Sequence, residues 1–340
     1  LLSGDEKETK DQNIIQSPTL APTRAPTMAP TELALQESVS RLFPNHTQAS
    51  AILGLFPNYT LVEMQQPQSA QSQAFQWLLE DPSLSSYTED RIKQRFSLAT
   101  LFYATAGTEW LNNQDWLSYT VHECDWYSGD TYAVEGFASR DFVVYLDDDV
   151  ETYSPLPLAC DMDTNTTYQH LWLNSNFLEG TIPPELSWLT NLQSLALGVN
   201  IRMRGTIPSE IGLLTDLRAL GLIGLNEVQG EIPSQLGLLS ELLEFELVAN
   251  VTGTIPTQVG QLTNLRLFSL QHNSLSGDLP SEMGQMIGLI SLNSDYNGLT
   301  GTIPTEIGLL TDLQILFLFA GLLSGDIPSE LGMARALHGL

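Results

Sequence analysis

Residues 265–280, LRLFSLQHNSLSGDLP, place Leu265, Phe268, Leu270, Asn273, Leu275, Gly277, Leu279 and Pro280 in the frame LxxLxLxxNxLxGxIP. The frame also opens at Tyr168, Leu192, Leu217, Leu242, Leu289 and Leu313, and an eighth copy starts at Leu337. The first seven openings are separated by 24, 25, 25, 23, 24 and 24 residues. A fixed period of this length marks a solenoid, in which each unit buries its apolar face only against its neighbours. No other feature of the chain restricts its fold so tightly.

Within each copy, LxxLxL predicts a short strand whose leucines point inward, so that neighbouring strands build a parallel sheet on the concave side. Each inward Leu or Ile contributes about 1.5–3 kcal/mol on burial. The frame asparagines (Asn176, Asn200, Asn226, Asn250, Asn273 and Asn297) fall where the chain bends inward. There an amide can satisfy backbone groups that would otherwise be buried unpaired. Asn226 comes one place late, which predicts a bulge in repeat three, and Gly321 replaces the asparagine in repeat seven, where the ladder should stop or weaken. Asn250-Val251-Thr252 is formally a glycosylation sequon, but a ladder position predicts a buried, unmodified Asn250.

The segments before the repeats differ in character. Residues 1–35 include the Pro-Thr tract SPTLAPTRAPTMAPT, expected to be a disordered stalk or linker. Sequons at Asn45, Asn58 and Asn165 are candidate glycosylation sites and, with that tract, favour the secretory route. The chain opens on Leu1-Leu2 without a Met, which suits the tail of a removed signal or an anchor helix. Residues 36–167 read as a helical cap region covering the open end of the solenoid, whose leucines would otherwise meet water. AFQWLLED should end at Pro82, and Thr88 should cap a helix running to Gly107.

Trp110, Trp116-Leu117, Cys124-Asp125-Trp126 and Cys160 precede the first repeat, and LxGxIP recurs as in Gly180-Thr181-Ile182-Pro183 and Gly301-Thr302-Ile303-Pro304. Residues 110–340 thereby resemble plant-type leucine-rich-repeat proteins, including receptor-like ectodomains of plants and microalgae and the polygalacturonase-inhibiting proteins. The resemblance implies an α/β solenoid: a right-handed leucine-rich-repeat superhelix with a concave parallel β-sheet, a second short sheet after the bend and a helical N-terminal cap. It also implies a Cys124–Cys160 disulfide, worth about 3–4 kcal/mol in the chain-entropy estimate. The 35 residues between these cysteines exceed the family's usual spacing and include DFVVYL, which predicts an inserted hairpin. Family members bind proteins, peptides or glycans.

On that frame, the non-leucine positions of LxxLxLxxN face the concave side. Trp172, Glu244, Glu246, His272, Tyr296, Phe317 and Phe319 are the candidate partner-binding residues, because aromatic anchors dominate interfaces. The smaller Ser194, Ala196, Gly198, Ala219 and Gly221 line the same face. The formal net charge of −27 argues against nucleic acid as a partner. No catalytic set is expected. His122-Glu123 starts a zinc-protease pattern that Trp126 breaks, and Asp161-x-Asp163-x-Asn165 lacks the later residues of a calcium loop. Asp147, Asp148, Asp149 and Glu151 read as a solvated turn. No cofactor or metal is expected.

The sequence therefore predicts a non-enzymatic recognition module, receptor-like and extracellular or at the cell surface. Its expected partner is a protein, peptide or glycan, with membrane attachment only through a segment outside this chain. A secreted inhibitor of a cell-wall-degrading enzyme, or the ectodomain of a receptor kinase, are the alternatives.

Overall fold

The computed structural model describes residues 32–44, 46, 48–126, 160, 167–319 and 321–339. The expected hairpin around DFVVYL, the sequons at Asn45 and Asn165 and the Asp147–Asp149 turn lie outside them. Among the described residues, five α-helices form the cap: α1 (Glu32–Leu42), α2 (Ala49–Leu53), α3 (Asn58–Met64), α4 (Ala70–Leu79) and α5 (Glu89–Ala104). Helix α1 thus takes in the last four residues of the expected stalk. Thr88 accepts a hydrogen bond from the Arg91 amide and so caps α5 as its sequence predicts. The helix ends earlier than Gly107, however, because Ala106 takes the left-handed turn (φ 53°).

The cap is built around aromatic rings and one buried cation. Trp110, Trp116 and Trp126 pack in succession with centroids 4.7 and 5.6 Å apart. Arg95, 1% exposed, pairs with Asp81 at 3.0 Å and Glu123 at 2.8 Å and lies over the Trp77 and Trp126 rings. Arg91 adds two parallel 3.0 Å bonds to Glu123. Burial opposes ionisation of Glu123, yet hydrogen bonding to Arg91 and the charge on Arg95 hold its carboxyl below the usual range. The glutamate beside His122 is therefore part of the cap's framework. Cys124 and Cys160 form a disulfide with Cα atoms 5.3 Å apart.

Beyond the cap the chain forms parallel strands. The concave sheet orders β1 (His170–Trp172), β3 (Ser194–Ala196), β5 (Ala219–Glu231), β6 (Glu244–Thr252), β7 (Leu267–Ser269), β9 (Ser291–Asn293) and β11 (Ile315–Phe317). Its register aligns Leu171, Leu195, Leu220, Phe245, Phe268, Leu292 and Leu316 in one buried row. After the bend, β2 (Glu179–Gly180) pairs with β4 (Arg202–Gly205), which pairs with β5, and β8 (Ser276–Asp278) pairs with β10 (Gly298–Thr300). Each repeat returns through a 3-10 helix that opens just after the Ile-Pro pair, Leu279-Pro280 in repeat five. Glycines in these helices permit close stacking: a Cβ on Gly212 would sit 2.2 Å from the Gln235 carbonyl oxygen in the next repeat. The opening eighth repeat pairs through Gly339 with Ile315. The fold is an α/β leucine-rich-repeat solenoid with a helical N-terminal region, as the sequence predicts.

The asparagine ladder needs correction. Asn200 behaves as expected: its amide donates to the Leu173 and Leu197 carbonyls and its Oδ1 accepts from the Asn176 and Leu178 amides. Asn273 and Asn297 repeat the arrangement. Asn176 reaches the cap instead, bonding both backbone groups of Asn112. Asn226 and Asn250, by contrast, are exposed, and the buried Leu225 and Ala249 stand opposite each other at the bend. With no amide there, β5 and β6 run on through the bend and satisfy each other's backbone, with register shifts after Ile223 and Leu225. The irregularity of repeat three is thus shared with repeat four, and the premise of a buried Asn250 fails.

Cap and solenoid are joined through repeat one. Trp188 packs against the paired rings of Phe56 and Phe96, both centroids 5.5 Å away. The amides of Glu179 and Thr181 donate to the last carbonyls of α5, Thr105 and Ala104. Gly180, at φ 131°, makes this docking feasible, since a Cβ would lie 1.9 Å from the Ala104 oxygen. Among the described residues no helix is long and apolar enough to cross a membrane.

Candidate functional site

The concave sheet divides into three zones. At the cap end, Trp172 is half-buried and its indole donates to the Ser194 hydroxyl at 2.6 Å. His170 meets the same hydroxyl at 2.8 Å, and burial pushes its imidazole pKa down, favouring the neutral ring. Both large rings are therefore tied to the sheet.

In the middle, Ser194, Ala196, Gly198, Ala219 and Gly221 are all buried, although their positions point to the concave side. Small side chains here are sunk between taller neighbours in adjoining strands. Glu244 is likewise buried, at 3% exposure, and its carboxylate is no surface contact as the sequence suggests. Glu246, one pleat along, is only partly covered, and burial raises its carboxyl pKa.

The third zone, across repeats five to seven, is open. His272 and Tyr296 occupy equivalent places, each just before its ladder asparagine and each at φ 54°. The same left-handed turn holds Ser175 and Val199 before Asn176 and Asn200, so the bend imposes this backbone and the side chain is a free choice. Here the choice is aromatic. The His272 and Tyr296 rings stack at 4.4 Å and 8°, and Phe319 meets Tyr296 edge-on at 5.6 Å. Backbone bonds fix the ladder: the His272 amide donates to the Asp295 carbonyl and the Tyr296 amide to that of Phe319, both at 2.9 Å. The Phe319 amide is further held by the Asp295 carboxylate. Tyr296 is 49% exposed and Phe319 67%. Phe317, on β11, is exposed as well.

Of the sequence candidates, the structure thus gathers His272, Tyr296 and Phe319 into one stack with Phe317 in the neighbouring strand. Trp172 and Glu246 lie elsewhere on the sheet, and Glu244 is withdrawn from the surface. The position before the asparagine, which supplies two of the three stacked rings, carries the useful signal. Among the described residues no group of three or more His, Cys, Asp or Glu side chains is arranged to hold a metal. Asn58, the one candidate glycosylation site among the described residues, opens α3 and is exposed.

A family model described as Leucine Rich Repeat matches residues 169–189 and 264–286. Comparison with curated proteins gives no match. Among solved structures, the chain is similar to the Arabidopsis receptor kinase HAESA in complex with the peptide hormone IDA and the co-receptor SERK1. Identity is 37% and TM-score 0.49, over 52% of this chain and 30% of that one. The plant peptide hormone receptor RGFR1, in complex with RGF2, gives 34% identity and a TM-score of 0.41, over 48% of this chain and 30% of that one. A plant ice-binding protein gives 25% and 0.41, over 53% and 66%. The chain thus spans less than a third of the HAESA and RGFR1 chains.

Proposed function

We propose that this leucine-rich-repeat solenoid is a non-catalytic, receptor-like recognition module that binds a peptide or protein on the open third of its concave sheet. The observation that carries the reading is the solvent-facing stack of His272, Tyr296 and Phe319, which the solenoid's own packing does not require. Rings fixed by a rigid sheet lose little entropy on binding and present large apolar area, the usual makeup of an interface anchor. Phe317 extends the patch along β11, and the half-buried Gln271 and Asn293, bonded to each other at 3.1 Å, offer polar edges beside it. An extended peptide lying across the strands would meet the three rings in succession, with the Gln271 and Asn293 amides along one side. The disulfide and the Pro-Thr tract suit an extracellular or cell-surface location, since such bonds persist in oxidising compartments.

The test is panning of a random-peptide display library against the immobilised chain and against a Tyr296→Ala/Phe319→Ala variant of equal melting temperature. The wild type should enrich a shared peptide consensus that the variant does not. Enrichment of the same consensus on both proteins would move the binding surface elsewhere.

A further inference from the structure

A cavity of about 1210 Å³ lies where α3, the start of α4 and the end of α5 overhang the GxIP segments of repeats one to four. No concave-sheet aromatic lines it, so it is separate from the surface proposed above. Its volume exceeds the roughly 300–1,000 Å³ of ordinary small-molecule pockets. Along its floor, Pro183, Pro208, Pro233 and Pro256 recur once per repeat. Strands about 4.8 Å apart would spread four such prolines over roughly 14 Å, the length of about four residues of extended chain. Tyr59 and Tyr103 stand at the cap end.

The charge of the groove has one sign. Glu63, Glu185, Glu210 and Glu231 line it, and its lining contains no Lys, Arg or His. Glu185 lies deepest. Its carboxylate is fully buried, accepts from Thr60 at 2.8 Å and from Gln71 at 3.2 and 3.3 Å, and has no cation in ion-pair range among the described residues. The buried Asp81 and Glu123 of the cap, by contrast, are each matched by a guanidinium. Burial raises the Glu185 carboxyl pKa, the Thr60 and Gln71 bonds offsetting this only in part. A buried carboxylate without a counter-ion gains from any cation brought to it.

We propose that this groove is a second binding site, taking an extended cationic segment of a partner protein. Arg or Lys side chains of the segment meet Glu63, Glu210 and Glu231 at the rim and feel Glu185 below, while its backbone lies along the proline row. Prolines and tyrosines are apolar, weakly demanding neighbours for an extended chain, and the carboxylates select its charge. A second copy of this chain is a poor occupant, because a net charge of −27 sets like against like.

The test uses a fluorescein-labelled hexapeptide of alternating proline and arginine, titrated by anisotropy at physiological salt. Wild type should bind it. Glu63→Gln/Glu210→Gln should weaken binding at least tenfold, and Thr206→Arg, which puts a cation on the exposed lining, should do the same. Glu282→Gln/Glu306→Gln removes the same charge from equivalent helix starts outside the groove and should change binding less than twofold. Equal losses in the two double variants would assign the binding to diffuse acidity and overturn the proposal. So would no binding by wild type, or cellohexaose displacing the peptide from wild type, which would make the groove a glycan site. Tyr296→Ala/Phe319→Ala should bind this peptide as wild type does, so the concave reading and the groove fail separately.

Discussion

At the scale of single residues, the close contacts make the sharpest predictions. Gly180→Ala combines a left-handed backbone, worth about 1–2 kcal/mol for a residue with a Cβ, with a collision against the Ala104 carbonyl. Chemical denaturation should show a loss of at least about 2 kcal/mol, with the tryptophan fluorescence of the cap changing first; an unchanged midpoint would mean that the helix end is not docked there. Ser294 is the reverse case. It fills an inward leucine place in repeat six, and its buried hydroxyl has no partner. Ser294→Ala should therefore raise stability by about 1 kcal/mol in the same assay. The glycine of GxIP is plain in the sequence, but its reason is not. The helix end that approaches Gly180 comes from residues some 75 positions earlier, and one frame cannot report a contact with another part of the chain. Glu244 shows the same limit: alternation places it on the concave side, and only the neighbouring strands decide that it is buried.

At the scale of elements, the asparagine ladder separates what a frame reveals from what it conceals. Four of the six frame asparagines hold buried positions or bond the bend, because their spacing is regular. The other two fail in repeats three and four, where Asn226 comes one place late and the pairing of β5 with β6 slips at the bend. A strand converts that slip into a change of face, so Asn226 and Asn250 turn outward. Asn200→Ala should then cost about 2–4 kcal/mol, since it strands several buried backbone groups. Asn226→Ala and Asn250→Ala should stay within about 0.5 kcal/mol of wild type. Losses of similar size at all three would restore an unbroken ladder. Exposure of Asn250 also makes its sequon available. Peptide mapping of chain secreted from a eukaryotic host should find a glycan there, and a bare Asn250 beside an occupied Asn58 would count against the exposed register.

At the scale of the whole molecule, cap and solenoid respond to acid with opposite signs. Glu123 has a folded pKa below its unfolded value of about 4.3, so its contribution is present above that value and is lost as pH falls through the folded one. Glu185 has a raised folded pKa, so its contribution is fully present below the unfolded value and is lost as pH rises through the folded one. The stability of Glu185→Gln relative to wild type should therefore improve from pH 4 to pH 7, and a flat difference would remove the claim of an unmatched buried carboxylate. The repeat period and the apolar row made the solenoid legible from sequence alone. The aromatic patch was legible as well, because it follows from the frame. The groove was not, since it exists only where the helices overhang four separate repeats.

In the proposed function, the His272–Tyr296–Phe319 stack anchors the ligand. The most direct test is calorimetric titration of the peptide consensus enriched by the wild-type chain into wild type, Tyr296→Ala/Phe319→Ala and the groove variant Glu63→Gln/Glu210→Gln. Loss of tenfold or more in affinity for the aromatic variant alone, at unchanged melting temperature, is the predicted result. Full affinity without the two rings would contradict it.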